Sequence, residues 1–174
     1  NPLADPYILG VSGGAALGAF LATAAGLQAL APALPLREAA AFLGAAATVG
    51  ALFLLSSVRG RILSYPMLLI GVIMNTVYLA VILLIETVVD FTRLHGVRLW
   101  MIGSIPIEGY GLISGLSVLL VLGVAGLSLC GRDLNLMSAG EDAARSLGVT
   151  VERTRLVTVL LASLITAAVV SVAG

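Results

Sequence analysis

Five runs of about 20 apolar residues recur along this chain, each long enough to cross the roughly 30 Å hydrocarbon core of a bilayer as one helix. A backbone in lipid must satisfy its own N–H and C=O groups, so runs of this kind fold as helices. Composition agrees: 60% of residues are hydrophobic and 10% charged, and the mean hydropathy is +1.14. Soluble domains carry about 25% charged residues. The alternating strands of about ten residues that mark a membrane β-barrel are missing. The expected fold is an all-α polytopic membrane protein, one partial transmembrane domain over residues 1–174. Its spans are read at about Tyr7–Leu30, Glu38–Val58, Pro66–Val89, Gly109–Cys130 and Arg155–Ala173. A short surface helix is expected around Val97–Ile102.

Between the fourth and fifth runs lies a polar island, Arg132 to Val149. A hairpin between membrane helices needs only a few residues, so an insert of this size calls for a purpose. Gly140 can break the chain, and Glu141–Leu147 then reads as a short amphipathic helix. Ala143, Ala144 and Leu147 share its apolar face, and Glu141, Asp142 and Arg145 supply the polar remainder. Such a helix at the membrane surface suits docking on a soluble partner. The loop after the second run lies on the same side as the island. That side holds Arg59, Arg61, Arg132, Arg145, Arg153 and Arg155, against Arg37, Arg93 and Arg98 on the other. The excess of arginine places the island in the cytoplasm.

Small residues recur at four-residue spacing in the first run, at Gly10, Gly14 and Gly18, and again at Gly111 and Gly115 in the fourth. Helices in lipid associate through close approach of such faces, so these glycines are read as packing positions. Polar residues within the runs are few. Asn75 lies near the middle of the third, either in a hydrogen bond between helices or on a pathway; Glu86 lies near its outer end. No string of Asp, Glu or His crosses the spans, which argues against a proton-driven pump. Arg93, Arg98 and Trp100 in the outer loop are candidates for partner contact or interface anchoring.

Several classes are excluded. The formal net charge is zero, so no basic surface awaits nucleic acid. All nine basic residues are Arg, and without Lys no phosphate loop can be completed. One His cannot build a multi-His metal centre, and Cys130 alone forms no intrachain disulfide. No nucleophile has a His and a carboxylate placed around it. The chain is expected to do no covalent chemistry and to need no cofactor.

Three segments together resemble the permease subunits of bacterial ABC importers for iron–siderophores, haem and vitamin B12, the FecCD-type or type II importers. They are Asn1-Pro-Leu-Ala-Asp-Pro-Tyr-Ile-Leu-Gly-Val-Ser-Gly-Gly-Ala-Ala16, Leu99-Trp-Met-Ile-Gly-Ser104, and Leu134-Asn-Leu-Met-Ser-Ala-Gly-Glu-Asp-Ala-Ala-Arg-Ser-Leu-Gly-Val149. The first and third are long and specific. The resemblance implies a ten-helix subunit of which this chain holds helices three to seven, in a bacterial or archaeal cytoplasmic membrane. It implies cytoplasmic ATP-binding subunits, a periplasmic or lipid-anchored substrate-binding protein, and a second permease subunit forming a homodimer. The island would be the coupling segment, with Ser138, Ala139, Gly140, Glu141, Asp142, Ala143, Arg145 and Leu147 as the ATPase-docking element. The cytoplasmic gate would lie at Leu63, Ser64 and Tyr65, and Asn75 on the pathway lined by the third run. Tyr65-Pro66 is bulkier and stiffer than the small polar residues expected at such a gate. Transport of an iron chelate or a cobalamin-like substrate follows from the resemblance, with ATP hydrolysed in the partner. The rivals are an ion-coupled secondary transporter using Asn75 and Glu86, and a non-transporting membrane scaffold.

Overall fold

The computed structural model describes residues 8–27, 34–58, 61–62, 64–103 and 110–173. Within these, the elements are α1 (Val11–Ala24), α2 (Leu36–Ser56), β1 (Ser57–Val58), β2 (Arg61–Ile62), α3 (Ser64–Val88), α4 (Phe91–Met101), α5 (Tyr110–Leu129), α6 (Gly131–Ser138), α7 (Glu141–Ser146) and α8 (Val151–Ala173). Three described helices are long and apolar enough to cross a membrane: Leu36–Ser56, Pro66–Val88 and Val151–Ala173. A fourth candidate is Ile113–Leu129, which continues into Gly131–Ser138 through a bend of 50°. The fold is all-helical and polytopic apart from the β1–β2 hairpin, in which Ser57 pairs with Ile62 and Val58 with Arg61.

The first span is shorter as a helix than the apolar run that contains it. The 14 residues of α1 cover about 21 Å at 1.5 Å per residue, less than a full crossing. The outer limits of that run, Tyr7 and 28–30, lie outside the described residues, as does 109 at the start of the fourth. Gly10 caps α1 with φ +80°, a left-handed conformation that costs glycine nothing, and its carbonyl accepts the Gly14 N–H at 3.0 Å.

From that start α1 runs antiparallel to α2 through a seam of small residues. A Cβ on Gly14 would collide with Thr48 Oγ1 and come within 2.8 Å of Gly44 O, and one on Gly18 would collide with Ala40 O. A Cβ on Gly44 would in turn meet Gly14 O. Backbone-to-backbone contact of this kind gives dispersion that bulkier helices cannot reach. The buried positions of α2, Ala41, Ala45, Thr48, Val49, Leu52 and Ser56, form one helical stripe. They join Val11, Ala15, Ala19 and Phe20 of α1 in the main core.

The remaining helices pack around this pair. α3 packs on α1 and α2, and α8 on α1, α2 and α5. Glycine again sets the distances: Gly71 of α3 lies under Leu9, and Gly126 of α5 under the side chain of Leu161. Gly111 and Gly115 do not repeat the pattern, because nothing within 4 Å would meet a Cβ at either. They occupy a part of α5 that no other described element covers.

The surface helix differs from its expected position. It begins at Phe91 rather than near Val97, because Leu94, Val97 and Trp100 fall at three-residue steps and all three are buried in the main core. α8 likewise starts at Val151, one turn before the expected Arg155, since Val151 and Thr154 are buried under the preceding segment.

Candidate functional site

At one end of the bundle α5 gives way, at Cys130, to two short helices that lie across the start of α8. α6 holds Arg132, Asp133, Leu134, Asn135, Leu136, Met137 and Ser138; Ala139 and Gly140 break it from α7. Gly140 has φ +127° and ψ 140°, a backbone state that disfavours any side chain, and there the chain turns. The α7 helix then closes in a Schellman arrangement. The Val149 N–H donates to Ala144 O and the Gly148 N–H to Arg145 O, both at 3.0 Å, with Gly148 at φ +86°. The apolar contact that accompanies this motif is present. Ala144, Val149 and Val151 are buried together, with Leu136 and Met137 of α6 packed over them.

This geometry corrects the expected face of α7. Of Ala143, Ala144 and Leu147, only Ala144 packs inward; Ala143 is exposed and Leu147 is 66% exposed. The helix ends at Ser146, and the left-handed Gly148 swings Val149 back over Ala144, occupying the place expected for Leu147. Asp142, Ser138, Ala139 and Gly140 are exposed as well. The outward surface of the segment therefore combines these small residues, Leu147 and Asp142 with Glu141 and Arg145, which are exposed beside them.

Three charged residues of the island, Asp133, Glu141 and Arg145, reach α8. Glu141 pairs with Arg155, and Arg145 pairs with Glu152 at 2.7 Å. The Thr154 hydroxyl donates to Asp133 Oδ2 at 3.2 Å. Glu141 and Arg145, expected as contacts for a docking partner, thus have partners inside the chain. Glu152 and Thr154 carried no role in the sequence reading, and Arg155 only one in orientation; their spacing at the start of α8 opposite an island of mixed charge was the available signal.

Of the expected gate, Leu63 lies outside the described residues, and Ser64 and Tyr65 form the first turn of α3, directly after the β1–β2 hairpin. Arg59 of that loop also lies outside them. Asn75 faces α1: a Cβ on Gly13 would collide with its Oδ1, and one on Gly10 would lie 3.8 Å from its Cβ. That contact packs it between α1 and α3. Nearby, Tyr78 hydroxyl and Thr48 Oγ1 are 3.0 Å apart, which ties α3 to α2.

The opposite end of the bundle is closed by α4. Trp100 is 2% exposed, and the Arg37 guanidinium lies over its ring, 5.8 Å from the centroid. Arg37 also pairs with Glu38 at 2.6 Å, and Arg98 with Glu86 at 2.8 Å. Trp100 is therefore a core residue, not an interface anchor, and Arg98 holds α4 to the end of α3. Arg93 remains exposed. Glu86 and Asn75 are 11 positions apart on one helix, about 16 Å along its axis, so they share no ion site. Among the described residues no three of His, Cys, Asp and Glu come together to hold a metal ion.

The chain belongs to the FecCD transport family, which it matches over residues 1–174. It is 36% identical to an ABC transporter permease protein, YvrB, of Bacillus subtilis, with all of this chain aligned to 49% of that protein. It is 34% identical to the cobalamin import system permease protein BtuC of Halobacterium salinarum, all of this chain covering 46% of that one. It is also 34% identical to the hemin transport system permease protein HmuU of Yersinia pestis, all of this chain covering 52%. The chain thus spans about half the length of the curated relatives it matches. Among solved structures, an inward-facing conformation of a metal-chelate type ABC transporter superposes with a TM-score of 0.84 at 28% identity. That match covers 100% of this chain and 54% of the other.

Proposed function

We propose that this chain is part of the permease subunit of an ATP-driven importer that carries an iron chelate, haem or a cobalamin-like substrate into the cytoplasm. The observation that carries the reading is the α6–α7 segment, a folded polar element held at the end of the span bundle in a FecCD chain. The names of the relatives supply the substrate class, which covers hydroxamate-bound iron, hemin and cobalamin.

In this reading α7 is the coupling helix, and the ATPase is a separate cytoplasmic subunit that docks on its outward face. With Glu141 and Arg145 engaged by α8, the docking face is Ser138, Ala139, Gly140, Asp142, Ala143 and Leu147. An exposed leucine ringed by small residues suits insertion into a groove on a soluble partner, where a few buried side chains carry most of the affinity. The substrate-binding protein would meet the α4 end, and a second permease copy would complete the pathway. Entry to α3 at Leu63, Ser64 and Tyr65 would form the cytoplasmic gate.

The test is purification of the full-length permease from detergent, with mass spectrometry of the proteins retained. A stoichiometric ATPase subunit is expected, and Leu147→Asp is expected to release it while leaving membrane insertion unchanged. A clean homo-oligomer without an ATPase would return the chain to the scaffold reading.

A further inference from the structure

The coupling segment is joined to α8 by contacts that fix its register. Along α7, Glu141 meets Arg155 and Arg145 meets Glu152, so rising numbers on one helix face falling numbers on the other. α7 therefore lies antiparallel to the first turns of α8. The order of signs matters as much as the contacts. Sliding α7 by one turn would set Glu141 against Glu152, or Arg145 against Arg155, and like charges in contact penalise the shifted register. A third link, from Thr154 to Asp133, fastens α6 to the same turn of α8. Between the three links lies the apolar contact of Ala144, Val149 and Val151, to which Leu136 and Met137 add the cover of α6.

Among the described residues no ion pair or side-chain hydrogen bond ties the segment to α5. That helix meets α6 at a 50° bend and packs on the bundle through α8. α8, by contrast, reaches α2 and α1 along its length, placing buried small residues, Ser163, Ala167, Ala168 and Ser171, inside the bundle.

We infer that α6, α7 and the first turns of α8 form one rigid body, and that Glu152, Arg155, Asp133 and Thr154 are positioning residues that pass displacement of the coupling helix into α8. The inference rests on the reading of α7 as a coupling helix. It assigns the mechanical output to α8 and its packing on α2, with the α5–α6 bend acting as the hinge. A body held by register-specific ion pairs transmits both push and pull, which an apolar contact alone would let slip.

The experiment is pulsed electron–electron distance measurement on the full-length permease with its co-purified partners, in a background free of other cysteines, Cys130→Ser included. Spin labels are placed at Ser146→Cys on α7 and Arg153→Cys on α8, both exposed positions outside the ion pairs and outside the docking face. A narrow distance within each subunit is expected, separate from the distances between the two copies and unchanged between the nucleotide-free state and the state trapped with ATP and vanadate. Arg155→Glu alone is expected to broaden the distribution and to abolish the permease-dependent rise in ATP hydrolysis. Combining it with Glu141→Arg is expected to restore both. A shift of the α7–α8 distance on trapping, or a swap that restores neither, would overturn the rigid-body assignment. If no ATPase accompanies the permease, the coupling reading fails, while the narrow distance and its recovery in the swap still decide the latch.

Discussion

A methyl group on Gly18 would drive into the carbonyl oxygen of Ala40, a backbone atom that no change of rotamer can move aside. The same holds at Gly44 against Gly14 O, so the α1–α2 seam is limited by main chain on both sides. Overpacking costs typically 1–3 kcal/mol, and backbone-limited sites lie at the upper end because the helices themselves must separate. Gly18→Ala is thus expected to destabilise the full-length permease by about 2–3 kcal/mol. Gly50, on the exposed side of α2 with nothing within 4 Å, provides the control. Gly50→Ala is expected to be neutral or slightly stabilising, since alanine is the better helix former. Thermal unfolding in detergent distinguishes them: a melting temperature lowered by Gly18→Ala and not by Gly50→Ala. Equal effects would remove the seam from the account of stability.

At the scale of elements, α4 shows how a short helix of low overall hydropathy is held in place. Leu94, Val97 and Trp100 enter the core, Arg37 of α2 covers the Trp100 ring, and Arg98 reaches Glu86. Removing the indole leaves a cavity and exposes the Arg37 stem, a loss of about 3–5 kcal/mol on the scale of buried Trp→Ala changes. Trp100→Ala is expected to undock α4 before the bundle fails, so amide exchange should accelerate over Phe91–Met101 and not over Leu36–Ser56. Uniform acceleration in both would show that α4 unfolds only with the whole. The all-helical membrane fold and the polar island were legible in the sequence, because apolar length and a run of mixed charge are local signals. The start of α4 and the inward face of α7 were not. Both depend on what a helix packs against: α4 on a core assembled from α1, and α7 on a Schellman turn that brings Val149 back over Ala144. The pairing of Glu141 and Arg145 within the chain was not legible either, since their partners come from α8, 14 and 7 positions away.

For the whole molecule, charge and apolar surface divide the chain along two axes. Around the bundle, α3 and α5 turn Leu79, Leu83, Leu84, Val121 and Leu122 outward, a surface that lipid solvates as readily as protein does. Along the bundle, the α7 end carries Arg132, Arg145, Arg153 and Arg155, while the α4 end carries Arg37, Arg93 and Arg98. Counted along the sequence with Arg59 and Arg61, which follow the second apolar run, the division is six against three. Positive charge is retained on the cytoplasmic side during insertion, so this asymmetry is expected to orient the molecule with the α7 end in the cytoplasm, whatever its cargo. Two exposed positions report the orientation directly, Asp142 on α7 and Arg93 on α4. In full-length permease carrying Cys130→Ser, a membrane-impermeant maleimide is expected to label Arg93→Cys in intact spheroplasts. Asp142→Cys is expected to stay unlabelled until the membrane is broken. The reverse pattern would place the coupling segment outside the cell, where no ATP-hydrolysing partner could reach it. The importer reading would fall with it, even though every packing contact described above would stand. Orientation is therefore the point at which the function depends on the charge pattern and not on the fold.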